Sequence, residues 1–429
     1  MAKGSRRVAI VGGLRTPFVK ANTVFNDLTA LDLGRIVVQE LVQRYDLNPN
    51  DVDELVFGQV VPSLTASSIA REVVLLSGLP KKVQTHTVMR ACATSIQAAV
   101  SAGQSIQAGY ADVAIAGGTE SMSDPPIFTS RALAHALVSA SKAKTLPQKL
   151  KPFQKLGGKD LLPVPPSISE YTTGMTMGDS AEKMAKENAI SRQWQDEISL
   201  ASHKNAARAW KAGYFKEEVM NVPIPPKYKE TATIDNLVRE DTSLEALSKL
   251  KPAFDRRYGT VTAGNASPLT DGAAALLLMS EEKAKALGYE ILGYLKSYAF
   301  AATDPADQLL QGPAYAAPIA LDRAGLKLKD IELIDMHEAF AAQVASNIQA
   351  FESKEFASKL GRKEALGEVN RDILNVNGGS ISLGHPFAAT GARIIHQSLR
   401  ELKRRGKSLS LVTVCAQGGQ GAAVVLERE

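Results

Sequence analysis

The run GAAALLLM at Gly272–Met279 holds only small and apolar side chains, and GAAVVLE at Gly421–Glu427 returns in the same form near the end of the chain. Runs of this kind, apolar on both faces, read as short strands buried between layers. A second pair stands at corresponding places. DELVFGQV at 53–60 is matched by IELIDMHEAF at 331–340, and each follows a stretch with amphipathic helical periodicity. Two such pairs in the same relative order make a two-fold repeated α/β core the natural reading.

Working outward, Val8 to Val11, Glu54 to Val60, Val83 to Val88 and Asp112 to Ala116 read as strands, with helices over Leu28 to Tyr45 and Ser95 to Ala108. The second half repeats the alternation. Ile291 to Ala299 is a strand, Leu321 lies in a helix, Ile331 to Met336 is a strand, and Ile373 to Val376 leads into a glycine-rich stretch before the strand Leu409 to Cys415. Strands alternating with helices of that length predict right-handed βαβ units on a mostly parallel sheet. From about Asp124 to Leu250 the pattern breaks, with LLPVPP at 161–166 and VPIPP at 222–226. Helical stretches persist there, Gly178 to Asn188 and Arg192 to Gly213, without strands to partner them. The segment reads as an insertion lying over the strand ends, where an open α/β sheet binds its substrate.

Composition narrows the function classes. With 45% hydrophobic and 22% charged residues the 429-residue chain is of ordinary globular type. It lacks the roughly 18 continuous apolar residues of a membrane span. The opening MAKGSRRVAIVGGLRTPF does not read as a signal peptide, because its apolar run stops after Val11 at two glycines. Two cysteines far apart in sequence argue against a disulfide scaffold or structural zinc and for a reducing, cytoplasmic setting. A net charge of +5 is too mild to predict nucleic-acid binding. Charge is concentrated in one place, since Arg131 to Lys159 holds seven basic residues and no acid.

Four elements carry chemistry. Cys92, in VMRACATSIQAAV, lies between a strand end and a helix start, among small neighbours; there the helix field favours a thiolate. His385 is presented by Gly384 and Pro386 at the entrance of another helix. Cys415 ends a strand and enters the turn AQGGQG. His337 and Glu338 follow a strand directly; HEAF lacks the second histidine of a zinc helix pair, so no metal is expected. Glu338 fits either a first helical turn or a role in orienting its neighbours. Taken singly, each cysteine or histidine is also compatible with a core or turn-capping role. No GxGxxG with a placed acidic partner occurs, which leaves a dinucleotide site unsupported.

Together, MRACATS at 89–95, GGTESMS at 117–123, VTAGNASPLTDGAAA at 261–275, MHEAF at 336–340, NGGSISLGHPFAATGAR at 377–393 and CAQGGQG at 415–421 resemble the thiolase family over essentially the whole chain. HEAF in place of the commoner NEAF, and the long basic segment, resemble the β-subunit type of the fatty-acid-oxidation multienzyme complex.

The resemblance implies a fold of duplicated βαβαβαββ core halves with an inserted loop domain. Residues 1–123 and 251–282 would form the first half, 124–250 the loop domain and 283–429 the second half. It implies that Cys92 is the acylated nucleophile, His385 its base and Cys415 the acid/base at carbon. His337 stands where the family asparagine holds a water, and with His385 would polarise a thioester oxygen. The backbone N–H groups of Cys92 and Gln417 would form an oxyanion hole, although many members have glycine at the latter position. Ser267 and Met177 would contact the coenzyme A arm and acyl channel. Coenzyme A is implied as co-substrate, with no permanently bound cofactor.

The implied reaction is thiolytic cleavage of 3-ketoacyl-CoA in fatty-acid β-oxidation; the alternative is biosynthetic condensation of two acetyl-CoA. A ketoacyl synthase is disfavoured by Cys415 as a second catalytic thiol, and a non-catalytic lipid-binding or scaffold protein by the presence of every catalytic residue. Implied partners are a second copy, in a homodimer core, and an enoyl-CoA hydratase/3-hydroxyacyl-CoA dehydrogenase α subunit. Arg131 to Lys159 is the candidate surface for that subunit or for peripheral contact with an anionic membrane; its charges fit equally a solvated face or attraction of coenzyme A phosphates.

Overall fold

A computed structural model describes residues 6–429; residues 1–5 of the N-terminal stretch read above lie outside it. The first half runs β1 (Val8–Arg15), β2 (Val19–Lys20), α1 (Ala30–Arg44), β3 (Glu54–Gly58), α2 (Ile69–Leu76), β4 (Gln84–Val88), α3 (Thr94–Gln107) and β5 (Val113–Glu120). A long excursion follows through α4 (Arg131–Lys142), α5 (Leu146–Leu150), α6 (Met177–Glu187), α7 (Arg192–Lys211), β6 (Val222–Pro223), β7 (Thr231–Ala232) and α8 (Leu244–Ser248). The chain then returns as β8 (Thr270–Ser280) and α9 (Glu281–Ala286). The second half comprises β9 (Gly293–Ala302), α10 (Gly312–Ala324), β10 (Leu333–Met336), α11 (Ala341–Glu352), α12 (Lys354–Lys359), α13 (Ser380–Leu383), α14 (Thr390–Arg405), β11 (Leu409–Ala416) and β12 (Gln420–Glu427).

Nine strands run in the order β10-β11-β12-β9-β1-β8-β5-β3-β4, with β2 beside β8. The order is the same walk taken twice. From β1 it passes β8, β5 and β3 to β4; from β9 it passes β12, β11 and β10. The half-sheets meet through only two residue pairs, Ala9 with Tyr294 and Ile10 with Gly293. Where the first half has β4 beside β3, the second has a single parallel bridge between Ile334 and Leu374, so the Ile373–Val376 stretch never becomes a full strand.

The sheet is mixed, against the expectation of a mostly parallel one. Only β10–β11, β3–β5 and β3–β4 pair in parallel. The five other pairings along the path are antiparallel. The cause is the closing strand of each half. A short turn at 417–419 can join β11 only to an antiparallel neighbour, and β8 returns from the excursion to lie antiparallel between β1 and β5. Strand–helix alternation carries no information about where such a closing strand inserts.

Alternate strand residues face two different cores. On one side Ala9, Leu55, Phe57, Ile115 and Leu277 pack against α1 and α2. On the other, Ile10, Val56, Ala116 and Leu276 join α3, α14 and the inward residues Val412, Val424 and Leu426 of the second half. The outer face of the second half is covered by α10 and α11. The molecule is therefore layered α/β/α/β/α, with α3 and α14 in the middle. β8 is buried along all its length, which is why its sequence shows no polar alternation.

Two starts of helices approach closely in that middle layer. A Cβ on Gly391 would sit 2.7 Å from the backbone nitrogen of Ile96, and Ala392 N–H donates to Ser95 Oγ at 2.8 Å. Gly118 likewise lies directly against the carbonyl of Ala388. Among the described residues, no helix is long and apolar enough to cross a membrane.

Because the obstacle at Gly391 is backbone, it cannot move aside, and Gly391→Ala is expected to cost about 1–3 kcal/mol. Urea unfolding should show a lower midpoint at constant slope; an unshifted midpoint would contradict the close approach of α3 and α14.

Candidate active site

Cys92 is placed by a tight turn between β4 and α3. Ala91 adopts φ +43°, a conformation non-glycine residues seldom take. Thr94 holds it there, accepting from Arg90 N–H at 2.9 Å and donating to the carbonyl of Ala91 at 2.7 Å. The turn aims the half-buried Cys92 side chain out of the sheet. Burial pushes the thiol up to about 12, opposed by the backbone N–H groups of Gln417 and of Cys92 itself, both of which donate to its sulfur. The sequence reading that a helix start favours a thiolate is corrected here. Cys92 precedes α3 by two residues, and desolvation outweighs the helix field.

Two histidines face the thiol. His385 follows Gly384, whose φ of +102° turns the chain from α13 toward α14. The Nδ1 of His385 bonds Thr390 Oγ1 at 2.6 Å, and the Nδ1 of His337 bonds Ser380 Oγ at 2.8 Å. The Nε2 of each is buried without a partner. The rings lie 4.1 Å apart between centroids, and one ligating atom from each of Cys92, His337 and His385 lies within 4.8 Å of the others. Burial, with Arg393 nearby, brings His385 down to about 3. Burial, then His385 and Arg393, hold His337 well below its usual value. Both rings are neutral at physiological pH.

Cys415, at the end of β11, is fully buried and is raised well above the usual thiol range by desolvation and then by Cys92, while Ala339 N–H donates to it. The following turn takes its positive φ values at Gly418 and Gly419, so Gln417 needs none and its side chain is accommodated. Gly418 N–H donates to Glu170 of the excursion at 2.5 Å. Met177, the first residue of α6, packs in the apolar cluster that contains Cys415, Ala339 and Phe340. Ser267 donates its N–H to the carbonyl of Ala339 at 2.9 Å, one residue from Phe340. Cys92, His337, His385, Cys415 and Gln417 are thus brought together, with Met177 and Ser267 packed or bonded around Ala339 beside them.

Supporting residues surround the site, one of them, Glu338, read from sequence and the others not. Glu338 lies before α11 rather than in its first turn, and takes the orienting role of the two open to it. Its carboxylate accepts from Ser202 Oγ at 2.7 Å, Asn375 Nδ2 at 2.7 Å and Ile381 N–H at 3.2 Å, clamping the glycine-rich loop to α7. Glu120 accepts from the N–H groups of Val60 and Val61, both at 3.0 Å, and burial raises it to about 8. Ser380, Thr390 and Arg393 stand behind the histidines. Their motif was quoted, but nothing in spacing separates these polar residues from ordinary helix-start residues. Arg131 to Lys159 lies apart from this cluster as α4, α5 and short turns, with Leu137, Val138, Leu146 and Leu150 exposed.

Known proteins give a consistent picture. The family model "Thiolase, N-terminal domain" matches residues 8–282 and "Thiolase, C-terminal domain" matches residues 289–428. The chain is 56% identical over 422 residues to a 3-ketoacyl-CoA thiolase of Pseudoalteromonas translucida, covering 98% of this chain and 97% of that one. It is 54% identical over 428 residues to a 3-ketoacyl-CoA thiolase of Vibrio cholerae, covering 100% and 98%. Among solved structures, the Bacillus anthracis acetyl-CoA acetyltransferase superposes with a TM-score of 0.84 at 32% identity, over 99% of this chain and 100% of that one. The human mitochondrial 3-ketoacyl-CoA thiolase gives 0.83 at 32% identity, over 98% of both chains.

The histidine environment is testable. Unfolded histidines take up protons from about pH 6.5 downward, whereas His385 stays neutral until about pH 3. The unfolded state thus binds more protons in that window, and stability should fall as pH drops through it. In nuclear magnetic resonance titrations His337 and His385 should remain neutral from pH 9 to pH 5. A midpoint near 6.5 for either would contradict the burial described.

Proposed function

The chain belongs to the thiolase family, and on that premise we propose that it is an acetyl-CoA C-acyltransferase that cleaves 3-ketoacyl-CoA with coenzyme A in fatty-acid β-oxidation. The observation that carries the reading is the convergence of Cys92, His337 and His385 within 4.8 Å, with two backbone N–H groups directed at the thiol. Identities of 54–56% along the full chain to 3-ketoacyl-CoA thiolases support the degradative reaction over condensation of two acetyl-CoA.

The chemistry follows from neutral groups in a dry site. Cys92 is held as a thiol, so attack on the keto carbon requires His385 Nε2 to take its proton as the C–S bond forms. The keto oxygen becomes an oxyanion, which the N–H groups of Cys92 and Gln417 are directed to receive. When the tetrahedral adduct collapses, the Cα–Cβ electron pair leaves as the enolate of acetyl-CoA. Ring N–H groups of His337 and His385 stabilise its thioester oxygen. The buried Cys415 thiol, kept protonated, gives its proton to the carbanionic carbon. Coenzyme A then enters as co-substrate, gives its thiol proton to the Cys415 thiolate and takes the acyl group from Cys92, whose released sulfur recovers its proton from His385, with no permanently bound cofactor and no metal in the scheme. Ser267 and Met177 serve the pantetheine arm and acyl chain in this reading, supported by their places beside Ala339 and in the apolar cluster that contains Cys415.

The same reading divides the chain into a first core half over 1–123 and 251–282, a loop domain over 124–250 and a second half over 283–429. It places the enzyme in the cytoplasm, which two free cysteines support. A homodimer core is supported by β4, an edge strand whose QTHTV carries no formal charge and is largely exposed. The exposed apolar and basic surface of 131–159 supports docking of a hydratase/dehydrogenase α subunit, with an anionic membrane surface as the other candidate. Nucleic acid has no part in the reading.

Purified enzyme should cleave 3-ketoacyl-CoAs beyond four carbons in the presence of coenzyme A. Activity confined to acetoacetyl-CoA would move it to the biosynthetic reaction. In the same preparation Cys92→Ser should bind coenzyme A yet give no acyl adduct by intact mass, and an adduct would exclude Cys92 as nucleophile. Reversing the charges of Arg131 to Lys159 should abolish co-purification with the α subunit; an undiminished complex would remove this surface from that role.

A further inference from the structure

His337 is a neutral imidazole, so which of its nitrogens carries the proton decides whether it offers the site a donor or an acceptor. The answer lies behind the ring. Ser380 Oγ, fully buried, stands 2.8 Å from His337 Nδ1 and accepts from Arg393 Nη2 at 3.0 Å. Arg393 is itself buried and can only donate. Ser380 has one hydroxyl proton, and among the described residues its Oγ pairs only with His337 Nδ1 and the donor Arg393. If Nδ1 carried the proton, Ser380 would receive two donors while its own O–H stood buried and unpaired, at a cost of about 1–3 kcal/mol. With Nδ1 as acceptor, the Ser380 hydroxyl both accepts from Arg393 and donates to His337, and the ring is left with its unpartnered Nε2 as the donor.

We infer that Arg393 and Ser380 are positioning residues that fix His337 in the Nε2–H tautomer, presenting a donor to the thioester oxygen of the departing enolate. Neither touches substrate; they act through His337. The inference rests on the reaction proposed above and supplies what that reaction leaves open, the direction of the His337 hydrogen bond. The buried Nε2, left without a partner on a ring that lies beside Cys92 and His385, is where the donor is needed. His385 requires the opposite arrangement. To accept a proton from Cys92 its Nε2 must be bare, with Nδ1–H donating to Thr390 Oγ1. The two histidines therefore differ in what sets their tautomer: Ser380 is committed by a second donor, Arg393, whereas Thr390 has none, and the arrangement at His385 is the one the proton transfer from Cys92 demands.

Long-range ¹H–¹⁵N correlation on histidine-labelled enzyme without substrate reads the tautomer directly. The expected result is a protonated Nε2 and bare Nδ1 at His337, with a population shift in Ser380→Ala and recovery in Ser380→Thr. In 3-ketoacyl-CoA cleavage Ser380→Ala should lower kcat by about 10- to 100-fold with little change in KM, less than the roughly 100- to 1000-fold that follows outright removal of an oxyanion donor. Ser380→Thr should restore most of it. A protonated Nδ1 at His337 in the unsubstituted enzyme, or a Ser380→Ala variant with full kcat, would overturn the inference. A resting enzyme with the expected tautomer but no cleavage of any 3-ketoacyl-CoA would uphold the hydrogen-bond chain and sink the proposed reaction instead.

Discussion

Gly391 rests on the backbone nitrogen of Ile96 at a distance that only a residue without a side chain can reach. Through it the first turns of α3 and α14 are held together, and a reacting side chain precedes each, Cys92 two residues before α3 and His385 five residues before α14. Gly118 against Ala388, and Ser95 bonded to Ala392, close the same seam. No long side chain bridges the two halves there. Steric permission does the work, and a thiol and an imidazole from positions almost three hundred residues apart in sequence come into contact as a result.

The seam also buries the site, and burial sets its electrostatics. Cys92 and Cys415 are held as thiols, His337 and His385 as neutral rings. None of these groups is charged in the resting protein, so the proton transfers of the reaction run between neutral partners and create charge only where backbone and ring N–H groups are already aimed. A resting thiolate would be a better nucleophile, but it would have to be kept in a site where burial penalises it heavily. Glu338 and Glu120 contribute at one remove, tying loops to strand ends through backbone and side-chain N–H groups without facing the thiol as a pair.

Local chemistry was legible in the sequence because it is written in contiguous motifs. Cys92, His337, His385 and Cys415 each follow a strand end or a glycine turn, and the structure gathers all four. The duplicated strand runs also occupy equivalent places, β8 with β12 and β3 with β10. What sequence did not disclose depends on distant packing. The antiparallel insertion of β8 and β12 follows from where a returning strand fits. The raised thiol of Cys92 follows from burial by residues far along the chain. Ser380 and Arg393 were inside a quoted motif, yet their importance appears only when the Ser380 hydroxyl is found between two specific partners.

The two halves trace the same path, but they have specialised. One ends its central-helix approach in a cysteine; the other places a histidine there and adds a second histidine and a second cysteine at its strand ends. Neither half, alone, holds Cys92 together with His385. A break of the chain between them would therefore leave two pieces that each carry part of the reacting set, and chemistry would return only as fast as the middle helices found each other again.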